Sequence, residues 1–278
     1  MAIKSIHIET DVDIFDWPPL QPLPNPVPNP IPVPSPSSGK YVMLNCINWG
    51  ANPLMNLPDA SEHTYFVLLV NADGSLVTKS EAQERKFIAD VHAKRGKATL
   101  SIAGGTQNIS NITKAVTEKI GLINAIAARM AWGYDGVTLD IENTNIPSSV
   151  VNAFIIDLRA SLGQFAIIGV YTQPFQIETV WKDVGLVKDK ITWLAPMIYD
   201  FPYSIDDLVI LTKNWLKKVP KEKLLCGVAV NYATGLDINK FVQVLDIVIQ
   251  EGWKGVGIWE NALYTQPWRD VSKLKFGI

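Results

Sequence analysis

From position 41 onward, apolar side chains recur in two rhythms that take turns along the chain. Short runs that alternate, or stay apolar for five to nine residues, predict strands at Tyr41–Asn45, Tyr65–Val70, Ala98–Ala103 and Gly136–Glu142. The same pattern predicts strands at Phe165–Thr172, Ile191–Tyr199, Leu224–Asn231 and Gly255–Trp259. Between them apolar residues return every three or four positions, predicting helices over Glu81–Lys94, Asn111–Trp132, Ser148–Leu162, Ile205–Val219 and Ile238–Glu251. Asn111, Asp206 and Asp237 precede or open helical stretches and Gly252 follows one, where caps belong.

Strand and helix thus alternate about eight times over roughly 240 residues, the order and size of an α/β chain folded as a (β/α)8 TIM barrel. An open, doubly wound sheet is the competing architecture, but no glycine-rich phosphate turn follows the first strand. In a barrel, inward side chains at the C-terminal strand ends build the site. Only 32 residues separate Cys226 from Trp259, room for one helix and no α+β insertion domain.

Upstream of position 40 the rhythm changes. Ten of the 18 prolines lie between Pro18 and Pro36, and every second residue from Pro22 to Pro36 is proline. Such a run lacks amide donors and holds its neighbours extended, so it predicts a semi-rigid polyproline-II spacer on the order of 45 Å long. Residues 1–17 interleave Ile6, Ile8, Val12 and Ile14 with polar residues and read as a docking peptide, residues 18–39 as a proline-rich linker, and residues 40–278 as the barrel domain. A protein partner or larger assembly held by the tail is the expectation; a tail without a role is the plainer alternative.

Composition narrows the classes. With 47% hydrophobic and 19% charged residues, the 278-residue chain has ample material for a dry core. A net charge of −2 gives no field that favours nucleic acid or an anionic membrane, and no apolar run approaches the ~20 residues of a membrane span. The segment Met1–Trp17 lacks a signal-peptide core, so synthesis in the cytoplasm is expected, with non-classical export or attachment to a particle as the further option. Cys46 and Cys226 lie in strand-like runs and read as buried free thiols, a disulfide being the alternative. His7, His63 and His92 read as bystanders. The sequence contains no metal-ligand cluster, phosphate loop or Cys/His pair, and no cofactor is expected.

The candidate chemistry sits in Asp135-Gly136-Val137-Thr138-Leu139-Asp140-Ile141-Glu142. Period two puts Val137, Leu139 and Ile141 on one face and Thr138, Asp140 and Glu142 on the other. Two neighbouring carboxylates on an otherwise apolar strand are costly to bury, so a pair of this kind points to proton transfer, a structural pair neutralised by Arg or Lys being the alternative. Three other strand ends match it. Ser101-Ile102-Ala103-Gly104-Gly105 lets backbone approach a ligand. Pro196-Met197-Ile198-Tyr199-Asp200 puts Met197 and Tyr199 on one face with Asp200 at the rim. Gly257-Ile258-Trp259-Glu260 supplies an aromatic floor. Carboxylates ringed by tyrosine and tryptophan describe a sugar site.

Together, Asp-Gly-x-x-x-Asp-x-Glu, Ser-x-x-Gly-Gly, Met-x-Tyr-Asp and the last-strand Trp resemble glycoside hydrolase family 18, the chitinases and certain endo-β-N-acetylglucosaminidases. The likeness covers Tyr41 to the C-terminus. It implies that Glu142 is the general acid and later the base, kept protonated by burial beside Asp140. It also implies that Asp140 orients the substrate's N-acetyl group, with Tyr199 holding that acetamide. The acetamide oxygen then acts as nucleophile, so the enzyme retains configuration. Trp259, Met197, Asp200, Asp135, Thr138, Ser101, Gly104 and Gly105 are carried over as substrate-binding or supporting positions. The substrate implied is chitin or another N-acetylglucosamine-containing glycan.

Two departures stand out. Thr138 occupies a position where the family usually has a third Asp, which implies an altered pH profile or a reduced rate, and the first strand carries Asn45 and Asn48 where a tyrosine is common. The lack of an insertion implies a shallow, open groove and endo cleavage, with Trp49, Tyr171, Phe175, Phe201, Tyr203, Tyr232 and Trp268 as further stacking candidates. The alternatives at this level are an endo-β-N-acetylglucosaminidase on peptidoglycan or N-glycan cores, and a chitinase-like lectin that binds without cleaving.

Overall fold

Val137 and Leu139 on one side of a strand, Thr138 and Asp140 on the other: the whole sheet repeats this division. The structure is a computed structural model and describes residues 40–47, 60–77, 80–104, 107–142, 145–199, 204–230, 235–259 and 263–277. The tail and linker at 1–39 lie outside the described residues, as do Asn48, Trp49, Gly105, Asp200, Phe201, Tyr203 and Tyr232.

Strands β1 (Tyr41–Ile47), β2 (Glu62–Val70), β4 (Lys97–Ala103), β5 (Gly136–Asp140), β6 (Ile167–Thr172), β7 (Trp193–Pro196), β8 (Leu225–Ala229) and β9 (Gly255–Trp259) run parallel in the order β7-β6-β5-β4-β2-β1-β9-β8. Isolated parallel bridges Leu194–Leu224 and Met197–Gly227 bring β8 back to β7, so eight parallel strands nearly close a TIM barrel. The two-residue β3 (Leu76–Val77) is an antiparallel addition to the end of β2.

Helices α1 (Glu81–Ala93), α2 (Ile109–Glu118), α3 (Ile120–Met130), α4 (Ser148–Leu162), α5 (Ile205–Asn214), α6 (Ile238–Glu251) and α7 (Gln266–Phe276) alternate with the strands. They start at side-chain caps where the sequence offers them: Ser80, Asn108, Ser204 and Asp237 each accept a hydrogen bond from a first-turn amide. Gly252 ends α6 at a left-handed φ of 72°. Among the described residues, α6 is the one helix between β8 and β9, with no inserted domain.

Two cores result. Outward strand residues such as Val137, Leu139, Val170 and Ile258 pack under helix residues such as Phe154, Ile155, Phe241 and Val244. Inward residues Met43, Ile167, Tyr171, Trp193, Ala195, Met197, Tyr199, Leu225 and Ala229 fill the barrel itself. Trp193, the largest of them, lies against a strand neighbour that must be small: a Cβ at Gly169 would lie 2.1 Å from its ring.

Three expectations change. β2 begins at Glu62, not Tyr65, because Glu62 turns into the barrel floor, where a charge is not expected from pattern alone. There it accepts from Tyr41 Oη (2.5 Å), Thr99 Oγ1 (2.8 Å) and Trp193 Nε1 (2.9 Å). His63 consequently lies inside β2, fully buried, rather than before it. The single helix expected over Asn111–Trp132 is two, because Gly121 must pass against the β2–β3 turn, where a Cβ would meet Asp73 O at 2.1 Å. Lys119 turns the chain there at φ 63°. Cys46 and Cys226 are both buried free thiols; burial raises both, Cys226 to about 12 despite its contact with Thr212.

Candidate active site

The C-terminal end of β5 is held from both sides. On one side, β4 finishes with Ala103 at φ 69° and Gly104 at φ 106°, a bend that delivers the Gly104 amide to the carbonyl of Asp140 at 2.8 Å. Left-handed backbone at a non-glycine residue costs on the order of 1 kcal/mol, tolerated here where the bend forms the mouth. On the other side, Gln176 Nε2 donates to Ile141 O (3.1 Å), fixing the residue between the two carboxylates.

Asp140 itself is 1% exposed and looks into the barrel, with Ala103 and Tyr171 as its register partners on β4 and β6. Glu142 follows at the rim, half-buried, where Oε2 accepts from Gln173 Nε2 at 3.1 Å. The period-two alternation of β5 therefore gives one deep and one open carboxyl on a single face. Below Asp140, Ser101 and Thr138 are register neighbours, both fully buried, and neither hydroxyl has a hydrogen-bond partner among the described residues.

Aromatic side chains form the opposite wall. The Tyr199 and Trp259 rings stack with centroids 6.4 Å apart and planes 9° from parallel, and Phe66 meets Trp259 edge-on at 4.6 Å. Met197 and Tyr199 are buried in the interior cluster with Trp259 packed against it. Tyr171 lies beneath, its hydroxyl donating to Asn45 Oδ1 at 2.8 Å. Burial first, then the neighbouring Tyr199, Glu62 and Asp140, holds the Tyr171 phenol well above its usual value. It is a permanent hydrogen-bond donor. Asn45 thus occupies the back of the pocket, where the sequence offers no tyrosine.

Some expected positions fall elsewhere. Asp135 precedes β5 at the N-terminal end of the barrel, roughly 16 Å below Asp140 at ~3.3 Å per residue. There it binds Lys97 Nζ (2.9 Å), His92 Nε2 (2.8 Å) and the Ala98 amide (2.9 Å). Burial alone would raise this carboxyl, but those donors outweigh it and hold it below the usual value. Asp135 is a structural anchor and not a substrate contact, and His92 is one of its partners rather than a bystander. Tyr171 and Trp268 are buried, Trp268 on Phe241 at 5.3 Å, so neither is a stacking surface. Phe175, by contrast, is 60% exposed beside the mouth. Gly105 and Asp200 lie outside the described residues.

Sequence reasoning does not reach Gln173, Gln176 or Phe66. A signal for Gln173 is present: the inward positions Ile167, Gly169 and Tyr171 continue by period two to residue 173. A cleft of about 410 Å³ lies between the loops that follow β5 and β6, lined by Asn145, Ser149, Glu178, Lys182 and Asp183 among others; none of Asp140, Glu142, Gln173, Tyr199 or Trp259 lines it. Among the described residues no group of His, Cys, Asp and Glu suits a metal ion, and no helix is long and apolar enough to cross a membrane.

No protein-family model matches this chain, and no curated protein matches it in sequence. Solved structures do. A family 18 (GH18) chitinase from Pseudoalteromonas aurantia superposes with a TM-score of 0.73 at 19% identity, over 84% of this chain and 99% of that one. A class V chitinase from Nicotiana tobaccum, in complex with NAG4, gives 0.72 at 14% identity over 86% and 99%. The spore cortex-lytic enzyme SleL of Bacillus cereus gives 0.70 at 12% identity, over 85% of this chain and 74% of its own. At these identities the likeness establishes a shared barrel fold.

Proposed function

We propose that this protein is a retaining glycoside hydrolase that cleaves β-1,4-linked N-acetylglucosamine polymers internally, in the manner of a chitinase. The observation that carries the reading is the pairing of a buried Asp140 with a rim-placed Glu142 on one strand face, opposite the stacked Tyr199 and Trp259. The fold shared with family 18 chitinases adds support, as do the four strand-end motifs in their expected order.

In this mechanism the scissile N-acetylglucosamine lies on Trp259, whose indole face accepts the sugar ring. The acetamide turns down toward Asp140 and Tyr199. Asp140 accepts the acetamide N–H, which makes the carbonyl oxygen a better nucleophile, and the Tyr199 hydroxyl fixes its direction. That oxygen attacks the anomeric carbon as Glu142 gives its proton to the leaving glycosidic oxygen. A cyclic oxazolinium forms and the C–O bond breaks. Glu142, now a carboxylate, takes a proton from water, which opens the ring from the same face. Configuration is retained and the acid is restored.

The single helix between β8 and β9 builds no extra wall, which favours an open groove and endo cleavage. A second reading within the same chemistry is cleavage of peptidoglycan, since one of the barrels it superposes on is a spore cortex-lytic enzyme. The test is incubation of wild type and Glu142→Gln with chitin oligosaccharides, peptidoglycan and a high-mannose glycopeptide, followed by mass spectrometry. Internal fragments from chitin with the wild type alone are expected. Products from peptidoglycan only would move the assignment to the second reading, and equal turnover by both proteins would end it.

A further inference from the structure

Glu142 sits past the end of β5, where no strand ladder fixes it, yet a general acid must hold its proton within reach of one oxygen. Its surroundings include a small amide scaffold. Gln173 Nε2 donates to Glu142 Oε2 at 3.1 Å. The backbone of Gln173 is itself fixed, its amide donating to Gln176 Oε1 at 2.9 Å. Gln176 is 2% exposed and spends its amide on Ile141 O at 3.1 Å, the residue joining Asp140 to Glu142. Thr172 Oγ1 also reaches Gln176 Oε1 at 3.3 Å. One buried glutamine therefore holds the backbone beside the acid and the backbone of the residue that grips its side chain.

We infer that Gln173 is a positioning residue for the general acid, held in place by Gln176, and that it directs the Glu142 proton to Oε1. The inference rests on the glycosidase reading for its catalytic consequence, but not for the contact itself. Nε2 of Gln173 is only a donor, so it occupies a lone pair of Oε2 in either protonation state of Glu142. The proton is then carried by the other oxygen, and the side chain loses the freedom that a rim position would give it. Fixing an acid within a few tenths of an ångström is worth up to about 100-fold when 1 Å of misplacement costs that much.

Charge gives the inference a signature that packing alone would not produce. A donor on a carboxylate favours its ionised form. Removing Gln173 makes ionisation of Glu142 harder, and replacing it by glutamate makes it harder still. Among the described residues, the titratable groups that neighbouring strands turn toward this mouth are Asp140 on β5, Tyr171 on β6 and Tyr199 after β7. From β4 comes Ser101, from β1 Asn45, from β2 Phe66, from β8 Ala229 and from β9 Trp259, none of which titrates. The variants leave all of these unchanged.

The experiment is a carboxyl carbon-13 NMR titration of full-length protein labelled at glutamate, with the Glu142 signal identified by its loss in Glu142→Gln. Gln173→Ala should move the Glu142 midpoint up by about half a pH unit, and Gln173→Glu further. Turnover of Gln173→Ala on chitin oligosaccharides should fall roughly tenfold in kcat with little change in KM, and Gln173→Asn should recover part of it. Gln173→Glu, an isostere, guards against misfolding of the alanine variant; thermal unfolding checks both. Unchanged Glu142 titration in both variants overturns the inference whatever the activity, and so does wild-type kcat in Gln173→Ala. A Glu142→Gln protein that still turns over chitin sinks the glycosidase reading instead, while the titration still tests the contact independently.

Discussion

Thr138 tests how single side chains divide the work in this site. It is fully buried one layer beneath Asp140, with a hydroxyl that can donate but cannot carry charge. No carboxylate lies below Asp140 at that position. Thr138→Asp would set a further carboxyl against it, and two such groups at close range do not both ionise easily. The acidic limb of kcat/KM should then move up by about one pH unit. A profile that superposes on the wild type would mean that position 138 does not communicate with Asp140. The placement of the candidate residues is largely legible in the sequence, because Asp140 and Trp259 lie on strands whose alternation fixes their face, and Glu142 and Tyr199 follow two and three residues past a strand end. Gln173 and Gln176 are harder to find: period two carries the inward face of β6 on to residue 173, but an amide at the start of a 3-10 turn carries no charge that marks it as the partner of an acid, and Gln176 lacks even the period. Asp135 is misplaced for the converse reason: a motif says which residues travel together, not at which end of a strand each one works.

At the scale of elements, strands are easier to read than helix breaks. The outward face of each strand is mostly apolar because it lies under helices, whereas the split between α2 and α3 depends on a close approach from elsewhere in the chain. Lys119 at the split bears a φ of 63°, a backbone geometry that glycine adopts without penalty. Its ion pair with Asp157 (2.6 Å) is solvent-exposed, which limits it to about 0.5 kcal/mol. Relief of backbone strain, about 1 kcal/mol, is the larger effect. Lys119→Gly should accordingly raise the urea midpoint at constant m; a lowered midpoint would show that the turn is not strained. Gly169→Ala should do the opposite. Its methyl would strike the Trp193 ring inside the barrel, a collision expected to cost about 3 kcal/mol and read as a lower midpoint. The helix α7 escapes the periodic reading, and Trp268, a groove aromatic on sequence grounds, packs that helix onto α6.

Two acids at the N-terminal end of the barrel, the buried Glu62 and the partly buried Asp135, respond to pH with opposite signs. Glu62 is raised above its usual 4.5, because burial outweighs the donors Tyr41, Thr99 and Trp193 and the charge of Lys254. Its contribution is full below about 4.5 and is lost as pH rises through the folded value, since the unfolded chain releases that proton first. Asp135 is lowered from 3.8, so its contribution is present above 3.8 and is lost as pH falls through the folded value. Glu62→Gln should therefore flatten the decline of thermal midpoint on the alkaline side, and Asp135→Asn the decline on the acid side, while neither changes the cleavage pattern. An exchange of those two slopes would contradict the assignment. Both acids lie at the opposite end of the barrel from the mouth. The proposed chemistry stands on the acetamide acting as nucleophile under a proton from Glu142. The most direct measurement is proton NMR of the first products released from a chitin hexasaccharide, before mutarotation, by wild type and Glu142→Gln. The β-anomer from the wild type and no cleavage by the variant are the expected results; an α-anomer, or equal cleavage by both proteins, would contradict it.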